Sequence, residues 1–175
     1  SWKKFNFLKV FIELSKKNEQ NILDIGSGRH FIEEIYGELK KNTFYRLDIA
    51  NRSYVDVIAD FSKYHYFKKC FDVIICLNVI EHVYNFKPFI NNIGKVIKSK
   101  GTLLLTVPYK SGLHYLPNDY FRPSHYALEK ILKENNFETI HIEPFYVSWI
   151  TTTLNQIKKN YESSSFFLKL LLKFT

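Results

Sequence analysis

An acid and two glycines follow the first apolar run of the sequence. Asp24, Gly26 and Gly28 stand in the order Asp-x-Gly-x-Gly, directly after residues 22–23. Glycine lets a backbone approach a ligand closely and tolerates positive φ, so we interpret this stretch as a strand that leads into a ligand-binding glycine turn. Dinucleotide sites usually continue to a third glycine, as Gly-x-Gly-x-x-Gly, whereas this chain has Phe31 at that position.

Acids also close the next two apolar runs. Asp48 ends the run at 44–47 and lies 22 residues after Gly26, and Asp60 ends the run at 55–59. A carboxylate can accept hydrogen bonds from both hydroxyls of a ribose, which makes Asp48 a candidate ribose-binding residue. A nicotinamide-dependent oxidoreductase would share these features, but the missing third glycine argues against that class.

Five segments taken in order carry a family resemblance: LDIGSG at 23–28, LD at 47–48, AD at 59–60, FDVIICLNVIEHV at 71–83 and GTLLLTVP at 101–108. Together they resemble the class I S-adenosylmethionine-dependent methyltransferases of the small-molecule type, over roughly residues 20 to 140. The resemblance implies a Rossmann-like α/β fold, a doubly wound and mostly parallel sheet of about six to seven strands with helices on both faces. It also implies S-adenosylmethionine as cofactor and S-adenosylhomocysteine as product.

The resemblance further implies which residues hold the cofactor. The glycine turn would pass under its methionine part, with Asp24 facing the ammonium group. Asp48 would bind the ribose, and Asp60 and Phe61 would border the adenine unless Phe61 simply packs in the core. The full implied set is Asp24, Gly26, Ser27, Gly28, Asp48, Ile49, Asp60, Phe61, Leu77, Asn78 and His82.

A loop of about 15 residues follows the fifth predicted strand, which is long for a compact domain and favours a functional role. It resembles the acceptor-side loop of a methyltransferase subgroup, many of whose members act in glycan and surface-polysaccharide pathways. The implied acceptor-binding residues are Tyr109, His114, Asp119, Tyr120 and Arg122. Asp119 and Arg122 could equally form an ion pair that only organises the loop.

Methyl transfer to a hydroxyl also requires a base that removes the hydroxyl proton. His114 is the first candidate, because a neutral imidazole near pH 7 can accept that proton. His82 is a second catalytic candidate, placed near the reactive sulfur by the resemblance, and His125 is a further one. Each of these histidines could instead be structural.

The composition limits the domain number, the metal sites and the partners that the protein can have. A chain of 175 residues that is 46% apolar fits one domain. Cys70 and Cys76 fit no metal-ligand spacing, so we predict no metal site and a reduced, cytoplasmic setting. The net charge of +8 comes mainly from scattered lysines, so we expect no specific nucleic-acid partner. The chain starts at Ser1 and contains no Met, which predicts a longer native protein.

Alternating apolar and polar segments predict strands near 21–25, 43–48, 54–58, 71–76, 101–107 and 137–143, with helices near 30–40, 86–98 and 124–135. We expect a methyltransferase domain over 1–162, in which 1–18 forms a helix covering the sheet. The apolar and basic segment 163–175 is interpreted as a C-terminal helix. It would contact the domain, a partner chain or the inner face of a membrane, without spanning it.

The sequence thus predicts a methyltransferase that methylates a hydroxyl of a small molecule, sugar or glycan. An RNA methyltransferase is an alternative supported by the positive charge. A non-catalytic binding module that retains the fold is another. Residues 77–80 lack the Asn/Asp-Pro-Pro-aromatic pattern of enzymes that methylate amino groups of DNA bases, and that class is disfavoured.

Overall fold

The structure is a computed structural model that describes residues 19–28, 41–63, 68–109, 111–146 and 166–174. Its centre is a seven-stranded sheet with strand order β3-β2-β1-β4-β5-β7-β6. The helices predicted at 1–18 and 30–40 lie outside the described residues. The predicted α/β fold class, with its mostly parallel sheet, is confirmed.

Five parallel strands form the first part of this sheet. They are β1 (Asn21–Ile25), β2 (Thr43–Asp48), β3 (Val57–Ile58), β4 (Phe71–Leu77) and β5 (Ile97–Pro108). The middle strands β1 and β4 are buried along almost their whole length. Continuous apolar runs of this kind are typical of strands covered on both faces. Their carboxyl ends therefore meet at one edge of the sheet, where Asp24, Asp48 and Asn78 lie.

Two α-helices and one short 3-10 helix connect the described strands. The 3-10 helix spans Ile80–His82, α1 spans Phe86–Val96 and α2 spans His125–Glu134. Ser124 caps α2, since its hydroxyl accepts a hydrogen bond from the Ala127 amide at 3.3 Å. No helix among the described residues is long and apolar enough to cross a bilayer.

The last two strands differ from the prediction. β6 spans Phe137–Tyr146 and β7 spans Phe166–Phe174, and β7 lies antiparallel between β5 and β6. The C-terminal helix predicted over 163–175 is therefore wrong for its described part, which belongs to the same sheet as the rest of the domain. The spacing of Lys169 and Lys173 explains the error, because residues four apart share a face in a helix and in a strand alike.

Deleting residues 166–175 is expected to abolish cooperative folding. β7 pairs with β5 from Thr102 to Pro108 and with β6 from Phe137 to Tyr146, so both neighbours would lose their partner. Each ladder hydrogen bond contributes about 0.5–1.5 kcal/mol, and a domain is stable by only about 5–15 kcal/mol in total. Thermal unfolding followed by circular dichroism checks this, with deletion of Thr175 alone as the control. A truncated chain that unfolds at the same temperature as the full chain would contradict the assignment of β7.

Candidate active site

The glycine turn after β1 has the backbone that the sequence predicts. Gly26 and Gly28 have φ values of 68° and 43°, in the left-handed region that favours glycine. A Cβ on Gly26 would lie 2.5 Å from Cγ2 of Val79, so the turn packs directly against the start of the 3-10 helix. In the part of the chain that the structure describes, a Cβ on Gly28 would meet only the Gly26 carbonyl oxygen, at 3.6 Å. No described atom therefore blocks this side of the turn.

Asp48 connects this turn to the end of β2. Its Oδ2 accepts a hydrogen bond from the Gly28 amide at 3.2 Å, and its Oδ1 accepts one from the Ala50 amide at 2.9 Å. The amides of Gly26 and Ser27 donate to the Leu47 carbonyl at 2.7 and 3.2 Å. Each carboxylate oxygen of Asp48 retains a further lone pair, which suits the two hydroxyls of a ribose.

Two buried polar residues flank the turn. Asp24, in β1, and Ser27, in the turn, are 1% and 8% exposed. Among the residues that the structure describes, the Ser27 hydroxyl has no hydrogen-bond partner. A buried hydroxyl of this kind gains from a ligand that bonds to it. Together with the open face of Gly28 and the lone pairs of Asp48, it fits the cofactor that the resemblance implies.

The two residues predicted to border the adenine, Asp60 and Phe61, have different surroundings. Asp60 is half-buried, and although burial raises its pKa, hydrogen bonds from Ser62 and Lys63 lower that pKa overall. The ring of Phe61 is 2% exposed and packs edge-to-face against Phe89, with ring centroids 5.4 Å apart. Phe61 therefore lies in the core, which favours the packing role that the sequence left open for it. Ile49 is exposed beside Asp48.

The end of β4 is fixed by β5. The Asn78 amide donates to the carbonyl and hydroxyl oxygens of Thr106 at 3.0 and 3.1 Å, and the Thr106 hydroxyl donates to Asn78 Oδ1 at 2.9 Å. Asn78 has a φ of 55°, which turns the chain sharply after Leu77. The side-chain oxygen of Asn78 is thus occupied.

The structure brings together two histidines that are far apart in the sequence. The rings of His82 and His114 lie edge-to-face with centroids 4.9 Å apart. Between them is Glu81, whose Oε1 lies 3.8 Å from the Nε2 of each histidine. His125 lies at the start of α2 and is not part of this cluster.

The loop that carries His114 is tied to the 3-10 helix. The Tyr120 amide donates to the Glu81 carbonyl at 2.7 Å, and the His82 ring bonds to the Asn118 carbonyl through Nδ1 at 2.6 Å. Within the loop, Arg122 donates two hydrogen bonds to the buried Asp119 carboxylate, which also accepts the His114 amide at 2.8 Å. These contacts set the position of His114 relative to Glu81 and His82.

The electrostatics of the loop follow from these contacts. The hydrogen bonds from Arg122 lower the pKa of Asp119 to about 2, so the pair is ionised throughout the neutral range. Asp119 and Arg122 thus organise the loop, the structural role that the sequence left open. Tyr109 and Tyr120 are exposed beside it and remain available to an acceptor.

Glu81 is the residue of this site that the sequence reasoning missed. Its side chain is fully buried, and burial raises its pKa to about 8. Burial also lowers the pKa of His82, so both Glu81 and His82 shift toward their uncharged forms. The signal in the sequence was the direct succession of an acid and a histidine after a buried strand, with a third polar residue, His114, in the next long loop.

Comparisons with known proteins agree with this architecture. A family model described as a methyltransferase domain matches residues 4–142. An uncharacterised protein of Methanocaldococcus jannaschii is 27% identical over 108 residues, covering 58% of this chain and 46% of that protein. A ubiquinone biosynthesis O-methyltransferase of Rickettsia bellii is 44% identical over 48 residues, covering 27% of this chain and 20% of that protein. The chain thus matches less than half the length of these curated relatives.

A solved structure shares the fold over nearly the whole chain. The crystal structure of a SAM-dependent methyltransferase from Archaeoglobus fulgidus superposes with a TM-score of 0.71 at 17% sequence identity, covering 95% of this chain and 90% of that one. The prediction of S-adenosylmethionine as cofactor agrees with this shared fold and with the fit of the glycine turn, Ser27 and Asp48. The family model covers well over half of the sequence, and the chain belongs to the methyltransferase-domain family.

Proposed function

We propose that this protein transfers a methyl group from S-adenosylmethionine to a hydroxyl of a small molecule, with sugar and glycan hydroxyls as the first acceptors to test. The observation that carries the proposal is the cluster of Glu81, His82 and His114. A hydroxyl must lose its proton during methyl transfer, and imidazole nitrogens are suitable acceptors for it.

The cluster lies close to the glycine turn. His82 follows Val79 by one turn of the 3-10 helix, with its amide donating to the Val79 carbonyl at 2.9 Å. Val79 in turn packs against Gly26. When bound, S-adenosylmethionine supplies an activated methyl group and a good leaving group. The chain's own residues then have to position the acceptor and remove its proton.

The division of roles follows from these positions. Asp48 and the glycine turn hold the cofactor, whereas His114 acts as the base from the acceptor side, with His82 beside it. In the tautomer in which Nδ1 carries the proton, His114 can donate to the Gly112 carbonyl at 3.3 Å. Its Nε2 is then an acceptor that faces the site. Asp119 and Arg122 keep the loop in place and do not take part in the chemistry.

The acceptor side favours a ligand with a ring. Tyr115 and Tyr120 are exposed on the loop, and Tyr109 is exposed just before it. Tyrosine rings can stack on a sugar or an aromatic ring while their hydroxyls form hydrogen bonds. The name of the Rickettsia bellii relative points to an acceptor in ubiquinone biosynthesis, so phenolic hydroxyls form the second set of acceptors to test.

Asp48→Ala is expected to weaken binding of S-adenosylhomocysteine at least about tenfold, because two hydrogen bonds to a charged acceptor are lost. Titration calorimetry measures this. Asp56→Asn is the matched control, since Asp56 is an acid of the neighbouring segment that pairs with Arg46 and lies outside the site. Unchanged affinity in Asp48→Ala would remove the ribose assignment. Tight binding of a nicotinamide dinucleotide would instead support the oxidoreductase alternative.

Asp119→Asn is expected to loosen the acceptor loop without changing cofactor affinity by more than about threefold. Removing the charge of Asp119 leaves the part-buried Arg122 guanidinium without its ionic partner and weakens the two charge-assisted hydrogen bonds that hold the loop. Chymotrypsin should therefore cleave within residues 113–121 at least about tenfold faster than in the unchanged chain. Asp72→Asn, which removes an ion pair with Lys98 away from the loop, is the control. Equal cleavage rates in all three chains would show that the ion pair does not organise the loop.

A further inference from the structure

We infer that Glu81, His82 and His114 form a binding site for a transition-metal cation of the Zn²⁺ type. One ligand atom from each side chain can be chosen so that all three lie within 4.8 Å of one another. This inference goes beyond the proposed function, because cation binding can be measured whether or not the chain transfers methyl groups.

The buried carboxylate of Glu81 is the first observation that supports the site. Its side chain is fully buried, and among the described residues neither carboxylate oxygen has a hydrogen-bond partner. Burying a carboxyl group without partners is costly, and buried acids are normally paired or coordinate metals. Both histidine Nε2 atoms lie 3.8 Å from Glu81 Oε1, too far for hydrogen bonds. A cation placed between the three groups would satisfy the acid.

The hydrogen bond of the His82 ring is the second observation. Nδ1 lies 2.6 Å from the Asn118 carbonyl oxygen. A carbonyl only accepts hydrogen bonds, so Nδ1 carries the proton and Nε2 holds a lone pair directed toward Glu81. Metal-binding histidines usually donate their other ring N–H to a carbonyl or carboxylate in this way.

His114 has surroundings of the same kind. Its Nδ1 lies 3.3 Å from the Gly112 carbonyl and 3.5 Å from Asp119 Oδ2, and both of these oxygens accept hydrogen bonds. In the tautomer with the proton on Nδ1, Nε2 keeps its lone pair, and this nitrogen lies 3.8 Å from Glu81 Oε1. Arg122 Nη2, which can only donate, lies 3.4 Å from the same Nδ1 and would bond to the opposite tautomer. Asp119 neutralises that guanidinium. Asp119 thus helps to position His114, whose amide it accepts, and offsets the positive charge of Arg122.

The three ligand atoms would have to move closer together to bind a cation. The two Glu81–histidine pairs need a small contraction, and the two imidazole nitrogens, which lie within 4.8 Å of each other, would close by up to about 1.4 Å. Zn–N bonds of about 2.0–2.1 Å and Zn–O bonds of about 2.0–2.2 Å put tetrahedral ligand atoms about 3.4 Å apart. The two Glu81–histidine distances of 3.8 Å would each shorten by about 0.4 Å. Two imidazoles with one carboxylate favour Zn²⁺, Co²⁺ or Fe²⁺ over Mg²⁺ and Ca²⁺, which prefer oxygen ligands. Three protein ligands also leave a coordination position open to an oxygen atom. With a cation bound, His114 Nε2 is a ligand and cannot accept a proton, so the base role proposed for His114 applies to the cation-free chain.

The test uses the tag-free chain after chelator treatment and dialysis, titrated with Co²⁺ at pH 7.5. Visible absorption reports cobalt coordination, and Zn²⁺ is then added in competition. We expect one Co²⁺ per chain, displaced by one equivalent of Zn²⁺ with a Kd below about 10 μM. E81Q and H114Q should each weaken binding at least about tenfold. H125Q, a histidine outside the cluster, should bind as the unchanged chain does.

Three results would overturn the inference. The first is equal cation affinity in E81Q, H114Q and the unchanged chain. The second is a Kd for Zn²⁺ above about 1 mM. The third is displacement of Co²⁺ by Mg²⁺ as readily as by Zn²⁺. Circular dichroism shows whether each variant is folded. If E81Q does not fold, H114Q decides the question, because His114 lies in a half-exposed loop. Calorimetry with S-adenosylhomocysteine on the same samples tests the proposed function separately.

Discussion

The close packing of Gly26 against Val79 is the constraint on which the candidate site depends. A Cβ at residue 26 would lie 2.5 Å from a Val79 methyl group, so the turn after β1 and the residue before the 3-10 helix can meet only if position 26 is glycine. This contact brings the cofactor side of the site next to the segment that carries Glu81 and His82. The amides of the same turn donate hydrogen bonds to Asp48 and Leu47, which holds the turn against β2.

The polar groups at the centre of the site oppose folding rather than favour it. Burying the Glu81 carboxyl costs free energy, as its raised pKa indicates. The surrounding apolar core, which includes Ile80, Phe89 and Ile90, offsets that cost because buried apolar side chains contribute about 1.5–3 kcal/mol each. Residues that are unfavourable for stability and yet surrounded by a well-packed core often belong to functional sites.

The parallel part of the fold could be predicted from the sequence because each strand is a local apolar run that ends in a polar residue. The glycine turn and Asp48 were predictable for the same reason, since backbone and hydrogen-bonding requirements at these positions are local. β7 was not, because its apolar run fits either a helix or a strand and only pairing with β5 and β6 decides between them. The Glu81–His82–His114 cluster depends on contacts between residues 32–33 positions apart. Such contacts follow from the position of the loop and not from any local pattern.

The position of β7 also affects the order in which the domain can fold during synthesis. It is the last described strand in the sequence, but it lies between β5 and β6, which are made well before it. Until the ribosome has released residue 174, β5 has no neighbour on one side and β6 has none on the side that β7 will occupy. Unpaired strand edges are prone to aggregate. Until β7 is in place, the nascent chain therefore exposes the unpaired edge of β5, and β6 has no partner strand among the described residues.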